Sequence, residues 1–265
     1  MTAPIPAGAF KLSPNIGKVT KTANALSRLI GGAVASITFG LPALKTCPGA
    51  GECRRVCFAT AGRYGTATVS GARQHNLDLA RAWMKSGGVE ALAGALAMAL
   101  TSWAFSVPYQ AVYLVRLHDS GDLFSQDYAD AWAQAASVAG ADIAARMKGA
   151  RLVVYGYTKS YAAKSPITAP SPLRMIQSAG TIDDTRIDWD RPVAVILPKS
   201  HPADDPAYVI DDDTDIPALL AVAPELDPGH DPDNPGPPAV VGLRYHGTAG
   251  GGRSAVTAPL VTIAA

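Results

Sequence analysis

Ala111-Val-Tyr-Leu-Val-Arg-Leu117 runs directly into His118-Asp119-Ser120-Gly121-Asp122. The first stretch is branched, aromatic and almost uncharged, as a strand buried on both faces requires. The second is small and charged, and ends the strand at once. Ser125 or Gln126 then opens a helix that extends to about Ala139. A strand that stops at a polar cluster and hands over to a helix is the building unit of a parallel sheet.

The unit recurs on both sides. Upstream, Ala33–Phe39 is a short apolar run that feeds a loop containing every cysteine. Helices follow over Ser70–Ser86, stopped by Gly87-Gly88, and over about Val89–Ala104. Downstream, Arg151–Tyr157 ends in Thr158-Lys159-Ser160, and Pro192–Leu197 is a further strand. Val240–Tyr245 delivers His246-Gly247, and Val256–Ile263 reads as a last strand. Leu173–Ser178 is expected to be a short helix. In parallel sheets chemistry collects at the carboxyl ends of strands, so the polar clusters are expected to share one rim.

The organisation that follows has three parts. Residues 1–32 are an arm with a short helix over Asn15–Ile30, and residues 33–200 are an α/β core. Residues 201–265, acidic over Asp204–Asp215 and rich in Pro, Asp and Gly over Pro224–Pro238, complete the same domain with one short helix within Asp212–Ala223.

The three cysteines are Cys47, Cys53 and Cys57, in the stretch Thr46-Cys-Pro-Gly-Ala-Gly-Glu-Cys-Arg-Arg-Val-Cys-Phe58. Three is an odd number, which forbids complete disulfide pairing. Pro48 to Gly51 turn the chain back and let its backbone approach a bound group. Thiolates are soft ligands that select zinc, copper(I) or iron–sulfur clusters. A closed zinc site needs a fourth ligand, usually from a second knuckle, and neither another cysteine nor a paired-histidine spacing exists. A [4Fe–4S] cluster held by three cysteines, with one iron open or bound by another group, fits the ligand count better than zinc or unmetallated thiols.

Composition sets limits. The 265 residues are 48% hydrophobic and 17% charged, which suits a folded domain. A net charge of +1 and the lack of a basic, aromatic-interleaved stripe argue against nucleic acid as the partner. No uninterrupted run of apolar residues is long enough to span a bilayer, and Val89–Phe105 reads as a buried helix, so no membrane partner is expected. Residues 1–14 lack the pattern of a signal peptide, and soft thiol ligation suits the reducing cytoplasm. A small-molecule substrate is the expected partner, and the oligomeric state is left open.

With these residues assembled, the chain resembles the bacteriophage and plasmid "gene product 88" domain family. The resemblance rests on Leu41-Pro-Ala-Leu-Lys-Thr-Cys47-Pro-Gly49, Cys53-Arg-Arg-Val-Cys57-Phe-Ala59, Gly62-Arg63-Tyr64, Arg73-Gln-His-Asn76, Arg116 to Asp122 and Gly156-Tyr157-Thr158-Lys159-Ser160, with a weaker echo at Tyr245-His246-Gly247. It implies no activity. A looser resemblance is to radical S-adenosylmethionine enzymes, which hold a three-cysteine [4Fe–4S] cluster after the first strand of a full or partial TIM barrel. It implies a TIM-barrel-like parallel sheet and S-adenosylmethionine on the open iron. The spacing here, Cys-x5-Cys-x3-Cys with Phe58 after the third cysteine, departs from that family's usual Cys-x3-Cys-x2-Cys.

Cys47, Cys53 and Cys57 are thus the expected metal ligands, with Arg54 and Arg55 placed to offset their charge. Arg63 is a candidate to bind cluster sulfur or a substrate anion. His118 is a candidate fourth iron ligand, proton shuttle or base beside Asp119. Asp122 crowds the same rim or caps the next helix. Tyr157 and Lys159 form a further candidate pair, the lysine as anion binder or Schiff-base former. His246 closes the set. Arg73 and Asn76, on one helix face, are expected to brace the cysteine loop. The leading expectation is a cluster-dependent protein, enzymatic in a radical or Lewis-acid sense. The alternative is a zinc- or cluster-stabilised binding module or redox sensor.

Overall fold

The computed structural model describes residues 9–14, 17–60, 62–161, 172–202, 204–211, 214–233 and 239–244. His246 and the expected strand over residues 256–263 lie outside them.

Among the described residues eight strands form one sheet: β1 Leu12–Ser13, β2 Val34–Phe39, β3 Val112–Leu117, β4 Arg151–Thr158, β5 Leu173–Ser178, β6 Val193–Leu197, β7 Val209–Asp211 and β8 Val240–Arg244. Their order is β1-β2-β3-β4-β5-β6-β8-β7. All neighbours are parallel except β1 and β2. The helices are α1 Gly17–Ile30, α2 Ala67–Ser106, α3 Gln126–Arg146 and α4 Ile216–Val222.

The mixed α/β sheet is the architecture the strand–cluster–helix pattern predicts. Among the described residues it is open rather than a closed barrel. The inner face of a barrel packs on itself, whereas here both faces carry helices. Phe39, Tyr113, Val115, Leu117 and Val154 pack under α2 and α3, together with the fully buried Trp132. Val112, Leu114, Val153 and Tyr155 point the other way, onto Leu26 of α1 and Leu219 of α4. Strands buried on both faces become continuous apolar runs, which is why β3 is so legible.

Leu173–Ser178 is a strand, not the expected helix. Six residues are too few for helical periodicity to declare itself, and pairing with β4 decides the conformation. The pair Gly87-Gly88 interrupts α2 as expected: Gly88 has φ 67 and ψ −148, a conformation open essentially to glycine alone. By length and composition α2 is apolar enough to cross a membrane, yet Leu92, Leu96 and Leu100 face the core.

Candidate functional site

The parallel register brings the ends of β2, β3 and β4 level, with Phe39 opposite Leu117 and Leu117 opposite Gly156. The cysteine loop leaves β2 and folds across this rim onto β4 and β5. It docks by backbone: Gly51 and Cys53 amides donate to Gly180 O, and the Ile182 amide donates to Gly49 O. Side chains would prevent this. A Cβ on Gly49 would lie 1.9 Å from Lys159 O, and one on Gly51 1.9 Å from Thr181 O. The glycines between the first two cysteines therefore serve close approach to the sheet itself.

The three thiols are half-buried. Burial pushes the Cys47 thiol up to about 12, and the charges of Asp122, Cys57 and Cys53 add to this. Burial likewise raises Cys53, against the opposing charge of Lys159. The thiols are thus near enough to sense one another, and a lysine stands beside them. Among the described residues no three His, Cys, Asp or Glu side chains converge on the position of one ion.

Lys159 is half-buried, and its desolvation lowers its pKa, while the charges of Cys53 and Asp122 work the other way. Its Nζ donates to Ser178 Oγ and to Ala179 O. Asp122 is buried and accepts from the Leu123 amide at 2.7 Å, Thr158 Oγ1 at 2.7 Å and the Lys159 amide at 2.8 Å. Burial raises its pKa against those bonds. It joins the end of β3 to the end of β4, so its observed contacts are structural.

Asp119 pairs with Arg73 at 2.6 Å. Gly40 leaves room for this pair, since a Cβ there would meet Asp119 Oδ1 at 2.2 Å. Arg73 also lies over the Tyr64 ring at 4.4 Å, and Tyr64 meets Phe58 edge to face at 5.4 Å. This chain of contacts ties the residues after Cys57 to the end of β3. Asn76 donates to Gly40 O and Lys11 O. The expected bracing pair therefore divides its work: Asn76 holds the start of the loop, and Arg73 holds Asp119.

His118 has φ 54 and turns into the helical layer, where Nε2 lies 3.1 Å from Tyr128 Oη. Burial and the charge of Arg116 lower its pKa to about 3, which keeps the ring neutral at ordinary pH. Among the described residues its Nδ1 has no partner. Tyr157 faces the opposite side of the sheet, with Arg116 4.2 Å from its ring centroid. Arg63, Arg54 and Arg55 are exposed, and Arg55 pairs with Glu52 at 2.9 Å.

The sequence reading missed the contribution of β5. Ser178 and Ala179 O hold Lys159, and Thr181 forms a bridge with Ala50 of the cysteine loop. Asp184 accepts from the Gly180 and Thr181 amides and from Thr181 Oγ1, fixing that turn. The signal was present: Gln177-Ser178-Ala-Gly180-Thr181 is another small, polar cluster closing an apolar run. Asp215 was also missed. It collects Lys18 at 3.2 Å, Arg116 at 3.5 Å and Tyr155 Oη at 2.9 Å on the α1–α4 face.

Fold and site together define an α/β protein with a three-cysteine loop docked on the carboxyl rim of a parallel sheet. The chain belongs to the Gene product 88 family, whose sequence model matches residues 12–257. No curated protein and no solved structure matches it.

Proposed function

We propose that the protein is a phage-type iron–sulfur protein in which Cys47, Cys53 and Cys57 hold one [4Fe–4S] cluster and leave one iron to a non-cysteine ligand or to substrate. The observation that carries this reading is the set of three half-buried thiols on one loop pressed against β4 and β5 beside half-buried Lys159. The strands β2 to β6 lie side by side in chain order, each parallel to the one before, so their carboxyl ends share one rim as they would in a TIM-barrel-like fold, although the described sheet is open and covered on both faces. When bound, the cluster supplies a Lewis-acidic or redox-active iron. Lys159 offsets the thiolate charge. Asp119, held by Arg73, stands at the next strand end to handle substrate charge, whereas His118 is turned away into the helical layer and takes no part.

Anaerobic purification followed by iron, zinc and acid-labile sulfide analysis tests the assignment. About four irons and four sulfides per chain are expected, lost in Cys47→Ala, Cys53→Ala and Cys57→Ala. One zinc without sulfide would overturn it and leave the loop as the staple of a binding module. On the reduced protein, a change in the EPR spectrum on adding S-adenosylmethionine marks a radical enzyme. An unchanged spectrum assigns the cluster to Lewis-acid, electron-transfer or redox-sensing work.

A further inference from the structure

The whole-chain charge of +1 averages over an uneven distribution. Residues 45–63 carry Lys45, Arg54, Arg55 and Arg63 against Glu52 alone, a net +3 confined to the cysteine loop. Arg55 is matched to Glu52 at 2.9 Å, so the excess rests on the other three. All three are exposed, and among the described residues neither Arg54 nor Arg63 pairs with a carboxylate. Like charges gathered on one surface repel, and an anionic partner relieves the repulsion.

Aromatic surface lies in the same patch. Phe58 is 58% exposed and meets Tyr64 edge to face at 5.4 Å. Tyr64 is backed in turn by Arg73, 4.4 Å from its ring centroid and anchored on Asp119. The exposed ring is therefore held in place rather than hanging free. Short 3₁₀ turns at Glu52–Val56, Phe58–Thr60 and Gly62–Gly65 present Arg54, Phe58 and Arg63 in succession, above a loop pinned to the rim by its backbone. A guanidinium grips a phosphate through two parallel hydrogen bonds, and a neighbouring ring offers its face to an unpaired base. An acidic protein would satisfy the charges and leave the ring nothing to stack on. A duplex keeps the faces of its bases hidden.

We propose that the outer face of the cysteine loop binds single-stranded nucleic acid, with phosphates on Lys45, Arg54 and Arg63 and a base on Phe58. The assignment uses no thiol and stands whichever metal the cysteines hold.

Fluorescence anisotropy of the anaerobically purified full chain with labelled oligothymidylate of about 12 nucleotides tests it. Binding is expected at low salt, with an affinity that falls steeply as salt rises. Arg54→Gln and Arg63→Gln should each weaken it about tenfold at low salt and lower the slope of log affinity against log salt by about 0.7. Phe58→Ala should weaken it about tenfold with that slope unchanged, and Phe58→Trp should keep it. Lys148→Gln, beside the amino end of β4, controls for charge alone, and thermal midpoints check that every variant is folded. No binding at low salt, equal affinity for a duplex of the same length, no loss in Phe58→Ala, or as large a loss in Lys148→Gln would overturn the proposal. So would displacement by polyglutamate of matched charge, which would mark the patch as a dock for an acidic protein.

Discussion

His118 illustrates how one backbone angle decides what a side chain does. At φ 54 its ring leaves the rim and enters the layer of Phe39 and Tyr128, where water cannot stabilise an imidazolium. The linkage has a definite sign. With its pKa lowered from 6.5 to about 3, the unfolded chain takes up a proton in this interval and the native one does not. The contribution is complete above pH 6.5 and is lost as pH falls from 6.5 toward 3. Burial raises Asp119 and Asp122, which acts in the opposite sense, so the histidine must be isolated by difference. His118→Gln should flatten the fall of the urea midpoint between pH 6.5 and 4, by an amount on the order of 2 kcal/mol. Parallel curves for the two proteins would refute this. The polar residues after β3 were legible as a cluster, but the direction each takes was not, because it depends on a positive φ and on α3.

At the level of elements, the cysteine loop behaves as an added partner of the rim rather than a free excursion. Gly49→Ala places a methyl against Lys159 O, at a distance no side chain accepts, and should lift the loop from β5. Hydrogen exchange at the Cys53 and Ile182 amides, which donate across this contact, should accelerate at least tenfold while the amides of β3 remain protected. Unchanged exchange would mean that the loop is held by other means. The thiol cluster and its Pro-Gly-Ala-Gly turn were readable because cysteine and glycine declare their chemistry locally. What they dock against was not, since β5 is six residues long and its character comes from pairing with β4. The break in α2 was readable for the opposite reason: Gly87-Gly88 acts through the backbone itself.

Across the whole molecule, Asp215 fastens the two ends of the described chain to the middle of the sheet. Burial pushes its carboxyl up, but Arg116 and Lys18 outweigh this and hold it below the usual carboxylate range. Asp215→Asn leaves Arg116 buried without its counter-charge, at a cost of about 3 kcal/mol. Scanning calorimetry should show a fall of roughly 10 °C in Tm, and a shift within 2 °C would refute the role. Such long-range pairing escapes sequence reading: Asp215 looked like one more residue of an acidic loop, and Arg116 like an oddity in an apolar strand. The strand order has a consequence for synthesis on the ribosome. β7 is made before β8, yet it pairs only with β8, which itself inserts beside β6. While the intervening chain is elongated, at roughly 5–20 residues per second, the edge of β6 stands open for some seconds with its amides and carbonyls unpaired. Closure of the nascent sheet therefore waits on β8, and the open edge is where a chaperone or a second nascent chain would find the protein.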